Sequence, residues 1–120
     1  LFTNPSFPQV AIECRMGWGD LADAPFELVT HMGNATRCKP DATYYLEQLQ
    51  VMGLEPHEVL MVGNDPKRDF PSPDCGIQTA YVGQGKPGRA TWCGTMEDFA
   101  RDFNAVIEAF YEHQVADELS

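Results

Sequence analysis

Nowhere does this sequence hold the roughly 20 consecutive apolar residues a helix needs to cross a bilayer, so a membrane is set aside as a partner. It shows no signal-peptide layout either. Basic residues are scarce: 8 Lys and Arg stand against 18 Asp and Glu, a net charge of −10. Such a surface repels nucleic-acid phosphates; it could suit a cation, and a soluble acidic exterior is its simplest account. The four cysteines, Cys14, Cys38, Cys75 and Cys93, include no C-x-x-C pair. That spacing excludes neither thiol chemistry nor packing, but it gives no structural zinc site and no disulfide scaffold. Scattered reduced thiols point to a cytoplasmic protein. Internal repeats and low-complexity tracts are also absent.

What is present is ordinary globular material. The 120 residues are 43% apolar and 22% charged, enough for one domain with a core and too short for two. "LFTNP" opens as a short strand cut off by Asn4-Pro5. "FPQVAIECRMGW" places Pro8 where a first helical turn tolerates it, with Val10, Ile12 and Met16 as a partly apolar face. "FELVTHM" (Phe26 to Met32) is β-rich. "KPDATYYLEQLQVMGL" predicts a helix capped by Asp41 and stopped at Gly53, with Tyr45, Leu46, Leu49 and Met52 at helical spacing.

"PHEVLMVG" and "GIQTAYVG" are continuous apolar runs of the kind buried on both faces of a parallel sheet. "TMEDFARDFNAVIEAFYEHQ" predicts a closing helix with Phe99, Phe103, Val106, Ile107 and Phe110 on one side. Strands alternating with helices give an α/β fold with a doubly wound parallel sheet.

Ligands of such sheets sit beyond the carboxyl ends of the strands. Collected there are Thr3 and Asn4 after the first strand, Lys39 in a loop before Pro40, and Asn64, Asp65 and Asp69 after "VLMVG". The set suits a phosphate bound to a divalent cation. Carboxylate oxygens fit Mg²⁺, which takes one or two of them and keeps waters. Thr3 and a neighbouring N–H can donate to phosphate oxygens, and Lys39 can neutralise phosphoryl charge. Taken singly, each residue has a blander role: a strand-end hydroxyl, a solvated loop lysine, acids near a helix start.

Their order is the stronger signal. "LFTN", "CKPDATYY" and "MVGNDPKRDF" together resemble the second, third and fourth motifs of the haloacid dehalogenase superfamily, over residues 1 to about 85. The resemblance implies a Rossmann-like three-layer core and a Mg²⁺-dependent phosphatase acting on a small phosphorylated substrate. It implies phosphate binding at Thr3 and Asn4, a catalytic Lys39, and metal-site roles for Asn64, Asp65 and Asp69. Asp65 is expected to touch the metal directly, with Asp69 supporting Lys39 or a metal-bound water and Asn64 able to take either role.

One motif is missing. The family's nucleophile is the first Asp of an Asp-x-Asp at the end of the central strand, and no Asp-x-Asp occurs in this chain. The chain also opens on Leu1 rather than methionine. The expectation is the C-terminal part of a hydrolase core without a separate cap, inactive alone, whose central strand comes from an upstream segment or a second chain. The alternative is a non-catalytic α/β module that binds phosphate, Mg²⁺ or a protein. A receiver-like domain ranks below both, because its acids precede its Thr and Lys in sequence.

Two further features have simple accounts. "GQGKPG" (residues 83 to 88) matches G-x-G-x-x-G, but a dinucleotide fingerprint must open a helix and this stretch reads as a loop. His31, His57 and His113 show no metal-ligand spacing and are assigned surface or packing roles.

Overall fold

A computed structural model describes the backbone of residues 1–119 and the side chains of residues 1–112. The fold is mixed α/β. Its centre is a three-stranded sheet of β1 (Leu60–Gly63), β2 (Gln78–Val82) and β3 (Trp92–Gly94), in that order and parallel throughout. Leu60 lies opposite Gln78, and Ala80 opposite Trp92. Both long apolar runs of the sequence thus become strands. β2, paired on both sides, is the most deeply buried: Ala80 has no exposed surface and Tyr81 little.

Four α-helices accompany the sheet: α1 (Gln9–Trp18), α2 (Ala42–Met52), α3 (Met96–Arg101) and α4 (Phe103–Leu119). None of the described helices is long and apolar enough to cross a membrane. α2 begins and ends as its sequence dictates. Asp41 Oδ1 accepts the Thr43 N–H at 2.8 Å, and Gly53 adopts φ +72°, a left-handed stop that costs glycine little. Its inner face packs Tyr44, Tyr45 and Leu49 with Ile77, and Phe2, Val59 and Met61 close the cluster. Val59, extended just before β1, and Met61 are two apart, so the strand period turns both toward α2.

The structure corrects four expectations. Neither "LFT" nor Phe26 to Met32 forms a regular strand. They run side by side, with Leu1 N–H bonded to Leu28 O at 2.7 Å and Thr30 N–H to Leu1 O at 3.0 Å. At the next rung the Thr30 hydroxyl takes the Thr3 N–H at 2.6 Å, so a side chain replaces the main-chain ladder. The apolar face expected of α1 is buried only at Ile12; Val10 is 65% exposed.

The closing helix is two helices. Thr95 and Asp98 cap α3 reciprocally, Arg101 pairs with Asp98 and Asp102, and the chain bends at Asp102. Phe99 then meets both Trp92 and Phe103 edge-on, at 5.5 and 5.6 Å. Val106 and Phe110 are buried, but Phe103 stays 47% exposed. Finally, "GQGKPG" leads into β3, a strand the sequence reading did not anticipate, and opens no helix.

Candidate functional site

The site is assembled around one carboxylate. Asp69 is 6% exposed and both of its oxygens are engaged. Oδ1 receives the Lys39 ammonium at 2.5 Å. Oδ2 accepts the backbone N–H groups of Asn64 and Asp65 at 3.0 and 2.8 Å. A buried ion pair persists only when further hydrogen bonds satisfy what the partner leaves over, and here two amides do so. The close fit requires glycine at the end of β1: a Cβ on Gly63 would lie 2.6 Å from both Asp69 Cβ and Oδ2.

Lys39 is tied on its other side. Its own N–H donates to Asn4 Oδ1 at 2.7 Å, and Thr3 Oγ1 donates to Asn4 O at 3.1 Å. Asn4, Lys39, Asp69, Asn64 and Asp65 therefore form one unbroken hydrogen-bonded chain drawn from three distant stretches of sequence. The Asn4 N–H beside Thr3 makes no hydrogen bond among the described residues, leaving a donor for a ligand.

Asp65 and Asp69 play different parts. Asp65 folds its Oδ1 back onto the Lys67 and Arg68 N–H groups at 3.0 and 3.2 Å, the turn chemistry expected of an Asp in "NDPKRD". Its Oδ2 has no partner among the described residues, and the exposed Asn64 amide has none either. Asp69 has no oxygen to spare. A hard cation here would take Asp65 Oδ2 and complete its shell with waters and a bound anion, a donor set that suits Mg²⁺.

Two tyrosines not singled out for the site hold it from behind. Tyr44 donates to Thr3 O at 2.6 Å, which also accepts from Thr30 Oγ1 at 2.6 Å. Tyr45 donates to Asp69 O. Neighbours on α2, they pin the backbones of two site residues that lie 66 positions apart (69 − 3). Burial raises the Tyr44 phenol to about 12. Burial, then the nearby Asp69 charge, raises Tyr45 as well, so both remain donors at ordinary pH. The signal for them was present in "KPDATYYL": two hydroxyl-bearing rings in the first turns of the helix that follows the loop lysine, where an apolar face needs no hydroxyl.

His31 stays apart from this network. His31 Nδ1 accepts the Gly33 N–H at 3.0 Å, His57 sits in the 3₁₀ turn Pro56–Glu58, and the His113 side chain lies outside the described residues. Set against family models, curated proteins and solved structures, the chain matches none.

Proposed function

We propose that residues 1–120 form part of a Mg²⁺-dependent phosphohydrolase core of the haloacid dehalogenase type, acting on a small phosphorylated molecule. The observation that carries this reading is the Lys39–Asp69 pair anchored to the Asn64 and Asp65 amides. It joins the three motif segments into one network at the carboxyl end of β1. The Asn4 N–H, and the Thr3 hydroxyl once turned from Asn4 O, would bind phosphoryl oxygens. Lys39 would offset charge that develops on the phosphoryl group, and Asp69 would hold the ammonium in place. Mg²⁺ on Asp65 would supply charge neutralisation of the transferred group.

The doubly wound sheet and its missing nucleophile belong to the same proposal. β1 lies at the end of the sheet, and a groove of about 310 Å³ runs between it and the Leu1–Phe2 stretch, with Leu28, Met52, Val59 and Met61 among its walls. A parallel strand fits that place, because an apolar slot beside an unpaired strand edge invites backbone pairing. An upstream segment or a second chain ending in Asp-x-Asp would fill it, its first Asp attacking phosphorus and its second transferring the proton. The four free cysteines suit a reducing, cytoplasmic setting.

The test is binding of inorganic phosphate to the chain, followed by calorimetry with and without Mg²⁺. Binding that needs Mg²⁺ and is lost in Asp65→Asn and Thr3→Val is the expected result. Phosphate binding indifferent to all three overturns the reading. Chain supplied with an Asp-x-Asp strand should then hydrolyse an aryl phosphate; binding without hydrolysis leaves the non-catalytic module, favoured by the absence of Asp-x-Asp from this sequence.

A further inference from the structure

A cavity of about 270 Å³ lies beside the phosphate end of the site, lined by Leu1, Thr3, Ile12, Arg15, Met16 and Leu21. Its lining brings together Thr3, proposed above as a phosphate-binding residue, and Arg15 from a different element, α1. Four of its six lining residues are apolar, which lowers the local dielectric and strengthens any charge pairing inside. Its volume lies just under the roughly 300 Å³ at which drug-sized pockets begin, room enough for a small molecule.

Arg15 carries two features that suit a ligand contact. Its guanidinium lies over the Phe7 ring, 5.3 Å from the centroid, which restricts the side chain before anything binds. It makes no ion pair among the described residues, although acids outnumber bases by 18 to 8. The planar fork of a guanidinium matches a carboxylate in two parallel hydrogen bonds, which an ammonium cannot do.

We infer that Arg15 is a specificity-determining residue: it takes the carboxylate of a small phosphorylated acid whose phosphoryl group lies on Thr3. The inference rests on the phosphate role of Thr3 proposed above. The short aliphatic body of such a ligand would lie on Leu1, Ile12, Met16 and Leu21, and its two anionic ends would meet the two polar groups of the cavity.

Two probes of the same shape separate the two ideas: 3-phosphonopropionate and propylphosphonate differ only in a carboxylate against a methyl group. Calorimetry on the full chain with Mg²⁺ should show the first binding about tenfold more tightly, as expected for one partly exposed charge-assisted pair. Arg15→Gln should erase the preference and leave propylphosphonate unchanged, and Arg15→Lys should restore only part of it. Circular dichroism and an unchanged Tm confirm that both variants fold, as an exposed helical position allows. Equal affinities in the wild type, or a preference that survives Arg15→Gln, overturns the inference while phosphonate binding lost in Thr3→Val keeps the phosphate reading. Failure of both probes to bind removes the two together.

Discussion

Tyr45 gives its phenolic proton to the main-chain oxygen of Asp69, the residue whose carboxylate holds Lys39 and the amides of Asn64 and Asp65. A core residue of α2, 1% exposed, thereby sets the position of the most connected polar group in the site. Removing that hydroxyl without changing the ring should leave a buried carbonyl short of a donor, at a cost of about 1–3 kcal/mol. Urea unfolding of Tyr45→Phe measures it; a midpoint equal to wild type would show that the bond contributes nothing.

Asp69→Ala should be the most damaging single change at the site. It strands the Lys39 ammonium, whose side chain is 12% exposed, and leaves two backbone amides unpaired. The expected loss is about 3–5 kcal/mol, a large share of the 5–15 kcal/mol a domain possesses. Asp69→Asn keeps an oxygen for the amides and should lose less. Equal losses in the two variants, read from denaturant midpoints, would show that the charge is irrelevant.

Gly63→Ala tests the closeness of approach rather than the charge. The added methyl meets Asp69 Cβ and Oδ2 at 2.6 Å, a contact that forces the carboxylate or β1 to move. A destabilisation of about 1–3 kcal/mol follows from such overpacking; under the proposed function phosphate binding also weakens, because Lys39 moves with Asp69. A variant that binds phosphate normally would uncouple Gly63 from the site.

Tyr44 makes a prediction about pH. Its phenol is raised by burial from its ordinary 10.0 to about 12, so above pH 10 the unfolded chain loses a proton that the folded chain keeps. The stabilising contribution is therefore complete below pH 10 and disappears as pH rises through about 12, with a limiting slope of about 1.4 kcal/mol per pH unit. In Tyr44→Phe this portion of the alkaline loss should vanish from thermal melts taken between pH 9 and 12. Identical alkaline profiles for the two proteins would place the loss on other groups.

Several elements were legible because their causes are local. Asp41 and Gly53 bound α2 through contacts within one turn, and "VLMVG" and "IQTAYV" are apolar runs that pair as parallel strands, β2 buried and β1 leaving Val62 exposed. The short strand β3 escaped notice because "TWC" has no strand pattern of its own; pairing with β2 makes it one. "LFT" and Phe26 to Met32 carry strand-like residues, yet Thr30 spends its hydroxyl on Thr3 and breaks the ladder. The break at Asp102 accompanies the packing of Phe99 on Trp92, a contact the sequence pattern does not show.

The same division runs through the site. Residue types and their order along the chain were enough to nominate Thr3, Asn4, Lys39, Asn64, Asp65 and Asp69, since a hydroxyl, an ammonium and carboxylates follow successive elements. Which carboxylate is free and which is saturated was decided only by the fold. Asp65 turns one oxygen to its own loop, a short-range bond that "NDPKRD" encodes, whereas Asp69 is consumed by Lys39, 30 positions away. The donors from Tyr44 and Tyr45, and the meeting of Thr3 with Arg15 at one cavity, are likewise tertiary facts. Hydrogen-bond capacity is written in a residue, but how it is used depends on what the folded chain brings within about 3 Å.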